Sequence, residues 1–396
     1  MSYQVAILVG GLGTRLRGVV NEVPKPMAQI GNKPFLEYLV LLLRENGFKK
    51  FLFLTGYKSE KIENYFLNGE KFEINIEYVR EKQPLGTAGA LFNAWHSLED
   101  EFILINGDTF FDIQFSIFNE FIKVRNPESL VVLRYSNDFS RYGVVEIDNE
   151  YRIVKFNEKG SLPYGWVDGY INGGIYFFRK RALFKLYEKY KGENLSLEQS
   201  ILPVLVSNKQ ILGLPMGGKF IDIGIPRDYE VAQSIIPKIV KNVRKPALFI
   251  DRDGTIIEDK GYVCGKNLTF KEKSIELMKK AKEEGMLVII VTNQAGIAKG
   301  LFTEEDSIST TEFIIAYLKR LNIFVDAYYY CPYHPEGNIE KYKKHSLLRK
   351  PEPGMILKAC EDFRIDLKNS LMVGDNETTD RINLFGLSSK IIKDPQ

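Results

Sequence analysis

A glycine-rich turn at residues 10–15, Gly-Gly-Leu-Gly-Thr-Arg, is the first stretch whose residue types suit a chemical task. Its glycines lack the β-carbons that would keep a phosphate away from the backbone, so successive N–H groups can surround an anion. Arg15 and Lys25 add two cations, which suit a triphosphate better than a single phosphate. The residues expected at these phosphates are Gly10, Gly11, Gly13, Thr14, Arg15 and Lys25.

Spacing excludes two common interpretations of this turn. A dinucleotide-binding fingerprint requires a third glycine where Leu16 stands, and a P-loop requires lysine and then serine or threonine where Val19 and Val20 stand. An isolated glycine cluster is otherwise typical of a tight turn, so the turn alone is a weak signal.

Carboxylates follow apolar runs at several distant places. Asp108 follows the run at residues 102–105, Asp222 lies within residues 220–224, and Asp251 and Asp253 follow the run at 247–250. Ligands bind at the carboxyl ends of strands in open α/β sheets, and carboxylate oxygens suit Mg²⁺. Singly, each aspartate is typical of a turn after a strand, but Asp108 and Asp222 together with the glycine turn predict one shared Mg²⁺.

Strand and helix patterns alternate through the chain, which predicts an α/β fold with two domains, each a mainly parallel sheet flanked by helices. From residues 130 to 178 the pattern changes to strands and hairpins. The charged, proline-bracketed stretch at 237–246 predicts a linker, because a fresh apolar strand follows it. We therefore expect domains at 1–236 and 247–396.

Composition favours a soluble globular protein, because 44% of the 396 residues are hydrophobic and 27% are charged. The net charge of +3 gives no indication of nucleic-acid binding. No apolar stretch suits a signal peptide or membrane span, and three widely spaced cysteines argue against a disulfide framework. These features predict a cytoplasmic protein.

The glycine turn followed by Pro-Lys-Pro-Met (residues 24–27) resembles the signature of sugar-1-phosphate nucleotidyltransferases, and the resemblance spans about residues 3–236. It implies a Rossmann-like domain in which the turn holds a nucleoside triphosphate, with Arg15 and Lys25 as catalytic cations. The segment at 81–89 resembles the one that contacts the base, which adds Gln83 and Gly86 to the nucleotide site, and Asp108 is expected there as well. The residues that resemble the sugar-phosphate side of the pocket are Tyr142, Gly143, Glu158, Lys159, Asn172 and Gly173.

The segment Phe-Ile-Asp-Arg-Asp-Gly-Thr at residues 249–255 resembles the first motif of haloacid-dehalogenase phosphatases. The resemblance implies that Asp251 is the nucleophile and Asp253 the acid and base. It also implies an Mg²⁺ held by Asp251, Asp253 and Asp375. The separation of Thr255 from Thr292 is too short for a large cap domain. The residues expected to bind the phosphate are Arg252, Thr292, Asn293, Arg349 and Lys350.

The C-terminal half resembles heptose 1,7-bisphosphate 7-phosphatases and the related histidinol-phosphate phosphatases most closely, for example in Arg-Lys-Pro-Glu-Pro-Gly at 349–354. Many of those enzymes hold a structural zinc after a Tyr-Cys-Pro segment. Here Cys331 remains, but Tyr333, Ser346 and Leu348 stand at the other ligand positions. We therefore expect no zinc, although Cys331, His334 and His345 leave an unorthodox site open.

The N-terminal half resembles D-glycero-D-manno-heptose 1-phosphate guanylyltransferases most closely, through residues 26–29, 106–111 and 222–226. The two resemblances imply successive steps: removal of the 7-phosphate from a heptose bisphosphate, then transfer of GMP from GTP to heptose 1-phosphate. A mannose-1-phosphate transferase, a histidinol-type phosphatase or a non-catalytic sensor domain remain alternatives. The sequence leaves open the nucleobase, the sugar and its anomer, channelling and whether the chain forms a homo-oligomer.

Overall fold

The computed structural model describes residues 3–11, 23–139, 143–159, 162–239 and 243–392, with the backbone alone at 157–159. The N-terminal half contains the strands β1 (Gln4–Leu8), β2 (Gln29–Ile30), β3 (Lys33–Pro34), β4 (Lys50–Thr55), β5 (Asn75–Arg80), β6 (Glu101–Asn106), β7 (Thr109–Phe111), β8 (Ser129–Ser136), β9 (Gly143–Ile147), β10 (Ile153–Lys159), β11 (Gly169–Arg179), β12 (Ile211–Pro215) and β13 (Phe220–Asp222). Its helices are α1 (Phe35–Glu45), α2 (Ser59–Phe66), α3 (Gly86–Asn93), α4 (Phe115–Arg125), α5 (Lys180–Tyr190), α6 (Leu202–Ser207) and α7 (Pro226–Ile239).

The main N-terminal sheet has the order β10-β9-β11-β6-β1-β4-β5, with β8 beside β11 and β12 beside β8. Strands β6, β1, β4 and β5 are parallel, while β8, β9, β10 and β11 form antiparallel pairs. Strand β1 lies between β4 and β6 with its first four residues buried, which explains the apolar run that begins at Val5. The antiparallel part corresponds to the stretch where the sequence pattern changes to strands and hairpins.

The C-terminal half contains the strands β14 (Ala247–Ile250), β15 (Leu287–Asn293), β16 (Ala327–Cys331), β17 (Leu371–Gly374) and β18 (Ser388–Ile391). Its helices are α8 (Glu272–Glu283), α9 (Ala295–Lys299), α10 (Glu304–Arg320) and α11 (Gly354–Asp362). The sheet order is β16-β15-β14-β17-β18, and all four pairings are parallel. A capping box between Thr303 and Asp306 fixes the start of α10. The predicted α/β class with largely parallel sheets is confirmed.

The two halves pack directly against each other. Asp112, just after β7, accepts hydrogen bonds from Arg244 and from Arg364, which follow α7 and α11 respectively. Phe121 of α4 packs edge-on against Phe385, with their ring centroids 5.1 Å apart. A single large apolar cluster includes residues of both halves, so the halves share part of one core. Among the described residues, no helix is both long and apolar enough to cross a membrane.

Candidate active sites

The first candidate site joins one lysine to two carboxylates. Lys25 lies in a 3₁₀ turn, and its Nζ is 2.5 Å from Asp108 Oδ2 and 3.6 Å from Asp222 Oδ1. Strands β7 and β13 pair antiparallel with Asp222 opposite Thr109, and this pairing brings together carboxylates that are far apart in sequence. The backbone N–H of Ile223 also donates to Asp108 O over 3.1 Å. The fold therefore assembles the predicted lysine and both predicted metal ligands.

The described part of the glycine turn lies directly beside this sheet edge. Gly10 follows β1, and a β-carbon there would lie 2.9 Å from Glu81 Oε1 and 3.2 Å from the backbone N of Gly56. Only glycine allows this approach without displacement of a neighbour. Burial raises the pKa of the Glu81 carboxyl, whose Oε2 accepts a hydrogen bond from the N–H of Leu85. Gly11 is exposed, while the predicted residues Gly13, Thr14 and Arg15 lie outside the described residues.

The stretch expected to contact the base leads into helix α3. Gln83 is exposed, and Gly86 is the first residue of the helix, with a positive φ of 72°. A β-carbon on Gly86 would lie 2.4 Å from the carbonyl oxygen of Leu195, so this position requires glycine for two reasons. The segment is thus fixed in shape at Gly86 and open to solvent at Gln83.

The expected sugar-phosphate residues lie on β9, β10 and β11. Gly143 begins β9, while Tyr142 lies outside the described residues and Glu158 and Lys159 are described by their backbone in β10. Asn172 of β11 donates to the hydroxyl of Tyr176 over 2.7 Å, and its Oδ1 accepts from the N–H of Gly174. Gly173 packs so closely on Phe111 that a β-carbon would lie 2.9 Å from that ring. The described residues of this expected sugar-phosphate side therefore lie on β9, β10 and β11, and β11 packs against β7 at Gly173.

The second candidate site centres on a buried lysine between two aspartates. Lys350 Nζ lies 2.7 Å from Asp251 Oδ1 and 2.5 Å from Asp380 Oδ1, and Asp380 is fully buried. Burial raises the pKa of Asp251 to about 7, while Lys350 acts in the opposite direction. Burial alone would lower the pKa of Lys350, but Asp251 and Asp380 outweigh it and raise that pKa. The lysine therefore stays charged, and it stabilises the ionised form of Asp251.

Asp251, Asp375 and Asp380 form a cluster whose carboxylate oxygens lie within 4.8 Å of one another. Asp375 follows β17, and its Oδ1 accepts from the hydroxyl of Thr255 over 3.3 Å. Burial and the charge of Asp380 raise the pKa of Asp375. Three carboxylates gathered at the ends of parallel strands fit a divalent cation, which would offset their mutual repulsion. Asp380 was not among the predicted residues.

The predicted residues Arg252 and Asp253 lie beside this cluster in a different arrangement from the expected one. Both carboxylate oxygens of Asp253 accept hydrogen bonds from Arg252, and Oδ2 also accepts from Gln294 over 2.7 Å. The Asp253 carboxylate is therefore held by Arg252 and Gln294 and is not part of the three-aspartate cluster. Arg252 is fully buried and also donates to Thr311 and Gln294, so its guanidinium holds Asp253 rather than facing a substrate phosphate.

The remaining residues that were predicted to bind the phosphate are Thr292, Asn293 and Arg349. Thr292 is buried near the end of β15, and its hydroxyl accepts from Gln294 over 2.9 Å. Asn293 donates to the carbonyl of Lys350 and accepts from its N–H, over 3.1 Å and 2.9 Å, which fixes the lysine's backbone. Arg349 is partly buried, and its Nη1 has no hydrogen-bond partner in the described parts of the chain. A buried donor of this kind is suited to an anionic ligand.

The residues considered for an unorthodox metal site have other contacts. Cys331 is buried, and burial raises the pKa of its thiol to about 12. His334 Nδ1 accepts a hydrogen bond from the N–H of Glu336 over 3.1 Å. The ring of His345 stacks on Trp166 with centroids 5.4 Å apart.

Two sequence families match the chain. The family described as nucleotidyl transferase matches residues 4–238, and the family described as polynucleotide kinase 3 phosphatase matches residues 247–389. The D-glycero-alpha-D-manno-heptose 1-phosphate guanylyltransferase of Aneurinibacillus thermoaerophilus is 42% identical over 233 residues, which are 58% of this chain and 96% of that protein.

A different relative matches the C-terminal half. The D-glycero-beta-D-manno-heptose-1,7-bisphosphate 7-phosphatase of Escherichia coli (strain K12) is 44% identical over 131 residues, which are 33% of this chain and 69% of that protein. Among solved structures, HddC from Yersinia pseudotuberculosis in complex with GMP-PN has a TM-score of 0.50 and 33% identity, and the match covers 58% of this chain and 98% of that protein.

These matches confirm the expected pairing of a transferase with a phosphatase. The chain belongs to the nucleotidyl transferase family through residues 4–238, and its C-terminal half belongs to the same phosphatase family as the Escherichia coli 7-phosphatase.

Proposed function

We propose that this protein is a bifunctional enzyme of GDP-heptose synthesis. Its C-terminal half removes the 7-phosphate from D-glycero-α-D-manno-heptose 1,7-bisphosphate, and its N-terminal half transfers GMP from GTP to the resulting heptose 1-phosphate. What supports the proposal most is the presence in one chain of two lysine–carboxylate sites, at Lys25 and at Lys350. The relatives of the two halves are named for heptose phosphates that differ by one phosphate group and in the anomer.

In the phosphatase half, a carboxylate oxygen of Asp251 attacks the phosphorus of the 7-phosphate. The bond from phosphorus to O7 breaks, and Asp253 donates a proton to O7 of the departing sugar. Water then attacks the aspartyl-phosphate while Asp253 accepts its proton. Lys350 stabilises the negative charge, and Arg252 and Gln294 hold Asp253 in one orientation.

In the transferase half, a phosphate oxygen of the sugar 1-phosphate attacks the α-phosphorus of GTP, and pyrophosphate leaves. Lys25 lies where it can meet both the nucleotide phosphates and the two carboxylates. The glycine turn, with Arg15, surrounds the triphosphate, and the edge of β11 at Asn172 faces the sugar. Catalysis here depends mainly on alignment and on charge stabilisation, because the protein forms no covalent bond to the substrate.

Mg²⁺ is the cation that we propose for both sites, because it prefers oxygen ligands and phosphate groups. Asp108 and Asp222 would hold it in the transferase half, and Asp251, Asp375 and Asp380 in the phosphatase half. When bound, the ion neutralises phosphate charge and lowers the free energy of the transition state.

The order of the steps constrains the anomer. The guanylyltransferase relative is named for the α-anomer and the 7-phosphatase relative for the β-anomer. A chain that carries out both steps in sequence must pass one anomer from the first to the second, because neither reaction alters C1. We propose the α-anomer, since the transferase relative is matched over 96% of its length.

We further propose a division into a transferase domain at 1–236, a linker at 237–246 and a phosphatase domain at 247–396. The cytoplasm is the proposed location, because GTP is available there and a reducing compartment suits the free cysteines of this chain.

A coupled assay tests the proposal. The enzyme, Mg²⁺ and GTP are incubated with the α- or β-bisphosphate, and phosphate and nucleotide sugars are followed by mass spectrometry, with ATP, CTP, UTP and dTTP as comparisons. GDP-heptose formed from the α-anomer alone is the expected result. Phosphate release with no nucleotide sugar from either anomer would refute the transferase assignment, and mannose 1-phosphate would then be tested as the acceptor. No phosphate release from either bisphosphate would refute the phosphatase assignment, with histidinol phosphate tested next.

Two variants assign each step to its site. Asp251→Asn should abolish phosphate release but still convert supplied heptose 1-phosphate to GDP-heptose. Lys25→Met should lower transferase kcat/KM by about 100-fold or more and leave phosphate release unchanged. Loss of both activities in either variant would contradict the assignment of separate sites.

A further inference from the structure

A buried carboxylate of the transferase half contacts the phosphatase half. Asp168 precedes β11, and only 1% of its surface is exposed. Its Oδ1 accepts from the N–H of Leu347 over 2.6 Å, and its Oδ2 accepts from the hydroxyl of Ser346. The hydroxyl of Tyr135 donates to the same Oδ2 over 3.2 Å, which adds a donor from the transferase half. The proposed mechanism does not use this carboxylate.

The segment that Asp168 contacts leads directly into the phosphatase site. Ser346 Oγ accepts from the N–H of Leu348, and Ser346 O accepts from the N–H of Arg349 over 3.1 Å. Lys350 is the next residue, and its Nζ reaches the nucleophile Asp251. A chain of hydrogen bonds therefore links a carboxylate of the transferase half to Arg349, which directly precedes Lys350 in the proposed phosphatase site.

Other contacts join the same two segments. The N–H of Val167 donates to His345 O over 3.2 Å, and the N–H of His345 donates to Gly165 O over 2.8 Å. The ring of His345 stacks on Trp166. The phosphatase segment thus pairs with the transferase chain in the manner of a short parallel strand.

A cavity of about 180 Å³ lies beside these contacts. Both halves line this cavity, while Leu347 is also buried in the apolar cluster that the halves share. Its lining includes Trp166, Asp168 and Tyr170 from one half and Leu347, Glu352 and Asn383 from the other.

We propose that Asp168 is a positioning residue for the phosphatase reaction: the transferase half holds residues 345–348 and thereby places Arg349 and Lys350. This inference rests on the proposed phosphatase site. The loss of Asp168 would free the segment to move, and a displacement of about 1 Å of a catalytic cation is enough to slow the chemical step. Because Lys350 contacts the nucleophile, the effect falls on kcat more than on KM.

The test uses the full-length chain with the variants Asp168→Ala, Asp168→Asn and Ser346→Ala, and the double variant Asp168→Ala/Ser346→Ala. The matched control is Lys368→Met, which removes an exposed ion pair with Glu120 across the same two halves. Phosphate release is measured with heptose 1,7-bisphosphate and with p-nitrophenyl phosphate, and pyrophosphate release is measured with GTP and heptose 1-phosphate.

Asp168→Ala should lower phosphatase kcat by about 10- to 100-fold, change KM by less than about threefold and leave transferase kcat within about twofold of the wild type. Asp168→Asn keeps one acceptor and should restore most of the rate. The double variant should be little slower than Asp168→Ala, because both changes disrupt the same contact. Equal loss of both activities, multiplicative effects in the double variant, or an unchanged phosphatase rate would overturn the proposal.

A measurement independent of activity separates this proposal from the proposed function. Amide hydrogen exchange at residues 345–350 should be faster in Asp168→Ala than in Lys368→Met, whichever substrate the phosphatase accepts. Unchanged exchange there would overturn the positioning role. A wild-type chain that hydrolyses p-nitrophenyl phosphate but neither bisphosphate would refute the heptose substrate only, and the comparison of variants would proceed with the simple ester.

Discussion

Asp112 accepts hydrogen bonds from two arginines at the junction of the two halves, and its removal should destabilise the whole chain. Only 2% of its surface is exposed. Arg244 Nη2 lies 2.7 Å from Oδ1, and Arg364 donates from Nε over 2.8 Å to Oδ2 and from Nη2 over 3.1 Å to Oδ1. The substitution Asp112→Asn preserves the shape of the side chain but leaves two guanidinium groups without their carboxylate.

The magnitude follows from this geometry. Removal of one partner from a buried ion pair costs about 3–5 kcal/mol, because it leaves an uncompensated buried charge. The Arg244 and Arg364 side chains are each 18% exposed, so water screens them little and Asp112→Asn should fall within that range. Arg364→Met should cost less, about 2–3 kcal/mol, because Arg244 still neutralises Asp112.

Urea denaturation followed by circular dichroism measures these differences in the free energy of unfolding. Lys368→Met is the matched control, because its exposed pair with Glu120 joins the same halves and should contribute less than about 1 kcal/mol. The double variant Asp112→Asn/Arg364→Met should cost less than the sum of the single variants, since removal of Arg364 relieves the unpaired charge. A cost for Asp112→Asn no larger than that of Lys368→Met would refute the reasoning.

Three further predictions concern glycine geometry, the three-aspartate cluster and pH. Gly86→Ala should destabilise the chain by about 1 kcal/mol more than Gly47→Ala. Both positions have positive φ, but only Gly86 has a backbone oxygen 2.4 Å from the new β-carbon. Equal losses of stability in thermal unfolding would contradict this prediction. Asp380→Asn should raise the Mg²⁺ concentration for half-maximal phosphatase rate by about tenfold or more and leave transferase rate unchanged, and an unaltered Mg²⁺ titration would exclude Asp380 as a ligand. Burial raises the pKa of Asp251 to about 7, and the nucleophile must be ionised, so phosphatase kcat/KM should rise with pH through that pKa. A higher Mg²⁺ concentration favours the ionised carboxylate of Asp251 and should shift this rise in kcat/KM to lower pH. A rise that does not shift with the Mg²⁺ concentration would belong to another titrating group.

Sequence patterns predicted the parts of the sites that lie at strand ends. Residues that follow parallel strands meet at one sheet edge, so Asp251 and Asp375 were expected together, and the structure places them in one cluster. The same logic applies to Asp108 after β6, while the antiparallel pairing of β7 with β13 adds Asp222. The pattern of apolar residues is enough to predict these positions, because it shows where each strand ends.

Side-chain direction was harder to predict. Arg252 was expected to bind the phosphate, but it is buried against Ser307 and Thr311 of α10. Successive residues after a strand point to opposite sides, and this alternation is the signal that would have separated Arg252 from Asp251. Asp380 lies in a segment without periodicity after β17, so its approach to Lys350 had no signature in the sequence.

Contacts between the halves were invisible in the sequence, because nothing local marks residues that meet across a long separation. Ser346 and Leu348 were noted only as departures from a zinc-binding pattern. In the structure the same segment is held by the Asp168 carboxylate through Ser346 and the N–H of Leu347. A departure from a family pattern thus coincides with a contact that the partner half supplies.

Two buried carboxylates, Asp168 and Asp112, lie at the interface between the halves. Asp168 belongs to the transferase half and holds the segment that leads to Lys350 of the phosphatase. Asp112 follows β7, whose pairing with β13 places Asp108 beside Asp222, and Arg364 of the phosphatase half binds it. Each half therefore contacts a segment next to residues of the other half's proposed site. Separation of the halves would expose Asp168 and leave Asp112 with fewer partners. We therefore expect these contacts, more than the length of the linker, to make the two proposed activities depend on one folded unit.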